Sequence, residues 1–233
     1  MIKNLFWKEW QENRWKLGFC LGVSLAFAVM LFRIRLITDA SVCIVLSWAQ
    51  MFVIPIVYAL DIFSGEMTNG TIHLLFKVPT ARWKIFLSKY LVVVLEIGFI
   101  FLVTGLCMEG LGHGRETDAG YLLKTNFLFG VCAQLLFAWF CVFGCQGHSE
   151  AGALVAMFGV LIGWGIVFLW AVMCQVSWAV HCTPFFFTFW ALDITSSDVP
   201  RLYVNQLVYS QMIMLAIAFA VACYRFVKVR RYL

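Results

Sequence analysis

The sequence predicts an all-α, polytopic membrane protein with six transmembrane helices, from its composition, its apolar runs and the placement of its basic residues. Of 233 residues, 63% are hydrophobic and 12% are charged. A soluble domain carries about 25% charged residues and about half apolar ones. A soluble core could not hide this much apolar surface, so the main solvent must be lipid. The net charge of +5 does not point to nucleic acid, because the basic residues sit at the edges of apolar runs.

A membrane helix needs about 17–25 mostly apolar residues. Residues 17–32, 40–60, 90–108, 127–143, 151–174 and 207–224 qualify. An even number of spans puts both ends on one side, and the basic residues choose which side. With the N-terminus inside, the inner segments hold Lys3, Lys8, Arg14, Lys16, Lys77, Arg82, Lys84, Lys89, Arg225, Lys228, Arg230 and Arg231. The outer loops hold Arg33, Arg35, Arg115, Lys124 and Arg201. Twelve against five predicts a multi-pass protein of the inner (cytoplasmic) membrane with both termini cytoplasmic.

The elements follow in order. The start lacks the compact apolar core and cleavage site of a signal peptide. Residues 1–16 place Ile2, Phe6, Trp10 and Asn13 near one helical face, with Lys8, Glu12 and Arg14 off it. Trp7, Trp10 and Trp15 suit the headgroup layer, so the expectation is an amphipathic interfacial helix on the inner leaflet that continues into a short first span. Residues 61–89 form a long cytoplasmic segment between the second and third spans. Residues 176–205 contain the run 184–192, which is apolar but too short to span, followed by a polar turn from Asp193 to Pro200. That pattern predicts an external re-entrant segment before the last span. No soluble domain interrupts residues 1–233, which read as a single transmembrane domain.

Seven of the nine cysteines (Cys20, Cys43, Cys107, Cys132, Cys141, Cys174 and Cys223) lie in or beside apolar runs, where a thiol behaves as a small hydrophobe. No Gly-x-x-x-x-Gly-Lys-Ser/Thr occurs, so any ATP must be bound by another chain. Gly147-His148-Ser149-Glu150 has the look of a nucleophile elbow, but that chemistry needs a strand, a turn and a base beside the serine. Ser149 reads instead as a helix N-cap, with Glu150 favoured by the helix dipole. Cys141, Cys145 and His148 are soft ligands at helical spacing without a fourth. No catalytic and no metal-binding residue is assigned.

Two features of the spans stand out. Glu96 lies seven residues past Lys89, or roughly 10 Å into the bilayer at 1.5 Å per residue. An intramembrane carboxylate should face a cavity or a partner. Pairing with Gln50 or a neighbouring chain, and a role on a substrate or proton path, are both open. In the fifth span Gly152, Ala156, Gly159 and Gly163 form a small-residue stripe that lets another helix approach closely.

The segment from Phe63 to Lys89 is the most informative. Gly65 and Gly70 break the helix leaving the second span, and Thr80 can cap the one carrying Arg82 into the third. Leu74, Leu75 and Phe76 make an apolar patch that wants a protein partner or the membrane surface. Glu66, Gly70-Thr71, Leu74-Leu75, Pro79-Thr80, Arg82 and Lys89 match, in order, the cytoplasmic loop of ABC-2 type permeases, which this stretch resembles. The amphipathic start, the six spans and the segment before the last span resemble the layout of that family too. The resemblance implies a membrane subunit of an ABC exporter whose loop includes a coupling helix. Glu66, Gly70, Thr71, Leu74, Leu75, Phe76 and Arg82 would then meet an ABC ATPase subunit. ATP and Mg would sit on that partner and no cofactor on this chain, and a second permease copy or paralogue would complete the path. The rivals are a proton-coupled carrier using Glu96 and a membrane-embedded enzyme built on Ser149, His148 or the cysteines. The substrate is not named by these residues.

Overall fold

The computed structural model describes residues 2–34, 38–60, 62, 81–112, 120–144, 150–174 and 201–228. They form six α-helices: α1 (Ile2–Ile34), α2 (Asp39–Ala59), α3 (Arg82–Gly112), α4 (Tyr121–Gly144), α5 (Glu150–Met173) and α6 (Arg201–Lys228). No strand occurs among the described residues. All six helices are long and apolar enough to cross a membrane, as a multi-pass membrane protein requires. Their outer faces agree, since Phe19, Ile162, Ile166 and Leu169 all stand exposed, and lipid suits such a surface.

Local chemistry sets several helix starts. Thr38 caps α2, accepting from the Ser41 backbone N–H at 3.3 Å, while Asp39 in the first turn complements the dipole. Glu109 at the end of α3 caps α4. Its carboxylate accepts from the backbone N–H of Gly120 at 2.6 Å and of Leu123 at 3.4 Å. Gly120 adopts a left-handed φ of 81° there, which only glycine takes without strain.

Helix α4 is the most buried element and packs on α2, α3 and α6, whereas α1 lies against α3 and α2, and α5 leans mainly on α4. The buried face of α1 reads Glu9, Asn13, Cys20, Ser24, Ala28, Phe32, a stripe at helical spacing. Its lower part is polar because the facing helix α3 is polar at the same level.

Helix α1 runs without interruption through residues 2–16 into the first span, the continuity expected of that segment. Their inward face carries Glu9 and Asn13, while Trp10 and Phe6 are only half-buried. An ionic partner on α3 outweighs the apolar pattern there. Helix α3 starts at Arg82, a full two turns before its apolar run. Helix α6 starts at Arg201, so it takes in the end of the expected re-entrant segment. The rest of that segment, and the loop residues 63–80, lie outside the described residues.

With 33 and 31 residues, α1 and α3 measure roughly 50 and 46 Å, against about 30 Å of hydrocarbon. At one end they finish level, since Gly112 of α3 sits beside Phe32 of α1 and Asp39 of α2. The surplus therefore projects at the other end, which holds the starts of α1 and α3 and the end of α6.

Candidate functional site

The helix that follows the candidate loop is tied to two others within its first turns. Arg82, its first residue, donates from Nη1 to the Val227 carbonyl at 3.4 Å, serving a carbonyl that the last turn of α6 leaves unpaired. Phe86 packs on Phe226 and Phe219 with ring centroids 5.5 and 5.7 Å apart. Tyr90 meets Phe219 at 4.8 Å and Phe137 of α4 at 5.5 Å. Aromatic pairs in such geometry add about 0.5–1.5 kcal/mol beyond their buried area. On the opposite flank, Lys89 donates to Glu9 of α1 at 2.8 Å, and the two side chains are 1% and 3% exposed. A displacement of α3 therefore pulls on both α1 and α6.

A second polar group lies farther along α3. Glu96 is fully buried, and neither carboxylate oxygen has a hydrogen-bond partner among the described residues. It faces Lys16 and Cys20 of α1 and the Tyr58 hydroxyl of α2, which lies beside the carboxylate without the geometry of a formed hydrogen bond. Lys16 donates instead to Asn13 at 2.9 Å. The pairing of Glu96 with Gln50, one of the alternatives left open, is not made, for both amide atoms of Gln50 lack a hydrogen-bond partner among the described residues. The reason is directional. Helical side chains lean toward their own N-terminus, and α2 runs opposite to α3. Glu96 leans toward the projecting end, Tyr58 leans away from it, and the two converge.

A third knot, at mid-bundle, was not anticipated. Ser47 of α2 donates to Asn126 Oδ1 at 2.7 Å. The Asn126 amide in turn donates to the Phe101 carbonyl of α3. Gly105 makes this approach feasible, since a Cβ there would stand 3.0 Å from Asn126 Nδ2 and from Leu123. The signal in the sequence was an asparagine at the start of an apolar run, which in lipid needs a hydrogen-bonding partner on a facing helix.

Helix α5 places its expected small-residue stripe away from the core. Ala153, Met157, Phe168 and Ala171 are buried, while Gly152 and Gly159 are exposed and Ala156 and Gly163 half-exposed. A Cβ on Gly159 or Gly163 would meet open space. Gly163 borders an apolar groove of about 300 Å³ between α4 and α5, lined also by Trp139, Phe143, Val160, Trp164 and Val167.

Among the site residues expected from the sequence, Arg82 opens α3 and Glu96 lies inside the bundle. Glu66, Gly70, Thr71, Leu74, Leu75 and Phe76 lie outside the described residues. The buried pair Glu9–Lys89 was missed because Glu9 reads as one charge among many in a basic leader. Its signal is a matched spacing: Glu9 and Lys16 on one helix, Lys89 and Glu96 on another, each seven residues apart. Comparisons with protein-family models and with curated proteins return no match.

Proposed function

We propose that the chain is the membrane-spanning permease subunit of an ABC-2 type ATP-binding cassette exporter. It would form the substrate path with a second permease copy or paralogue and couple it to separate ATPase subunits. The observation that carries this reading is the ordered pattern from Glu66 to Lys89, which leads directly into α3. The packing of α3 supports it, because a push on the loop would reach α1 through Lys89–Glu9 and α6 through Arg82 and Phe86. Closure of the ATPase dimer would then switch the spans between inward- and outward-accessible packings, a coupling between two distinct sites. The permease itself performs no covalent chemistry on this reading.

Co-purification from native membranes, followed by mass spectrometry, tests it. An ABC ATPase should be recovered with the chain, and its absence from the complex would sink the assignment. Topology is tested separately. Single cysteines from Lys3→Cys and Tyr232→Cys, in a cysteine-free background, should resist an impermeant thiol reagent in intact cells. Labelling of either from outside would reverse the orientation.

The second permease chain is tested on α5. Because Gly159 and Gly163 face open space, Gly159→Leu and Gly163→Leu should leave the single chain folded. If the stripe meets another chain, the oligomer seen on native gels should dissociate, since bulk there separates helices that rely on close approach. Unchanged oligomers in both variants would show that the stripe faces lipid.

The proton-coupled carrier is favoured by one specific observation, the fully buried Glu96 carboxylate, which has no hydrogen-bond partner among the described residues. Transport that survives a protonophore while ATP is present argues for the exporter. Transport that stops argues for the carrier.

A further inference from the structure

Arg82, Trp83 and Lys84 open α3, while Tyr224, Arg225 and Lys228 lie in the last turns of α6. The two segments meet at the projecting end, where Arg82 reaches the Val227 carbonyl. Each pairs a base with an exposed ring. Lys84 stands 5.5 Å from the Trp83 ring centroid and Lys228 4.9 Å from that of Tyr224, and the two aromatic residues are 47% and 60% exposed. Trp83 lies seven residues before Tyr90, where the apolar run of α3 begins. That is roughly 10 Å along the helix, the level of lipid headgroups rather than of acyl chains. Exposed tryptophan and tyrosine favour that layer, and long basic side chains extend into it.

The nearby chain does not balance the charge of this patch. No acidic residue occurs between Glu66 and Glu96, or from Val199 to Leu233. On α1 the acids at the same end are already engaged, Glu9 with Lys89 at 2.8 Å and Glu12 with Lys8 at 3.3 Å. Arg225 is half-buried, and its Nη1 is buried without a hydrogen-bond partner among the described residues. A guanidinium N–H withdrawn from water wants an acceptor.

We infer that the start of α3 and the end of α6 bind the phosphate of an anionic membrane lipid. Arg225 donates to the phosphate oxygens, for which its planar fork is suited. Lys84 and Lys228 add positive charge beside it. A lipid is favoured over a free anion or an acidic protein surface because the two exposed rings flank these bases at headgroup depth. The inference does not depend on the identity of the ATPase partner.

Native mass spectrometry of the purified full chain in detergent tests it, with phosphatidylglycerol and phosphatidylcholine of identical acyl chains as probes. The parent should retain phosphatidylglycerol in clear preference. Arg225→Gln and Lys228→Gln should each lower that affinity about five-fold and leave the affinity for phosphatidylcholine unchanged, while Arg225→Lys should keep most of the preference. Lys228 is exposed, so its variant decides the matter if Arg225→Gln fails to fold. Arg14→Gln, which removes a base stacked on Trp15 of α1, should change neither affinity. Equal retention of the two lipids by the parent, or an equal fall in Arg14→Gln, would overturn the inference. So would displacement of phosphatidylglycerol by inorganic phosphate, the mark of a free-anion site. Unchanged lipid retention in Arg225→Gln with loss of the recovered ATPase would overturn it too, and would assign the patch to a protein partner.

Discussion

Leu75→Asp is expected to give a protein that inserts normally but no longer retains its ATPase or stimulates ATP hydrolysis. On the proposed reading Leu74, Leu75 and Phe76 fill a groove on the partner, while Glu66 and Arg82 set its orientation through charged hydrogen bonds. Truncating a residue buried at such a contact often costs about 2 kcal/mol or more, which is roughly a 30-fold loss of affinity. An aspartate adds an unpaired buried charge, so the effect should be at least that large. Pull-down and ATPase assays on purified complexes measure it, with insertion checked first. Intact binding and stimulated hydrolysis would remove the main support for the ABC-2 reading. Arg82→Ala should behave differently. It frees the Val227 carbonyl and loosens α3 from α6, so transport should uncouple more than assembly weakens.

Lys89→Met should be the most damaging single change to the fold. The substitution keeps the apolar bulk of the side chain and removes its ammonium. Glu9, at 3% exposure, then loses the ammonium it pairs with directly, and one of its oxygens already lacks a hydrogen-bond partner among the described residues. Breaking a buried pair in this way costs about 3–5 kcal/mol, set against a total stability of about 5–15 kcal/mol for a typical domain. The expected result is a large fall in the monodisperse fraction recovered by size-exclusion chromatography after mild heating. Glu9→Leu combined with Lys89→Met should recover much of that loss, because two apolar side chains of similar volume replace a desolvated pair. If Lys89→Met alone matches the parent, the ion pair is not what holds the two helices together.

The sequence by itself determined the number and approximate position of the membrane-length helices found among the described residues. Six apolar runs were legible because a span depends on local length and apolarity, which no distant residue alters. The alternating order of the helices follows from the same count, and the structure accordingly places both terminal helix ends together. Glu96 was legible as unusual for the same local reason, since an acid in an apolar run needs no tertiary information to be noticed.

Only the tertiary structure decided what the polar groups do. Whether Glu9 is solvated or buried depends on Lys89, eighty residues away in the chain. Local periodicity placed Phe6, Trp10 and Asn13 near one face, and the structure buries Asn13 together with Glu9, the partner of Lys89, while Phe6 and Trp10 are half-buried. Glu96 meets Tyr58 rather than Gln50 because two antiparallel helices lean their side chains toward one another, a matter of packing direction rather than composition. Asn126 reaches a helical carbonyl only where Gly105 leaves room for it. A membrane span is a local property of the chain, but in a low-dielectric bundle each charge and amide is placed by its partner, and partners are chosen when the helices pack.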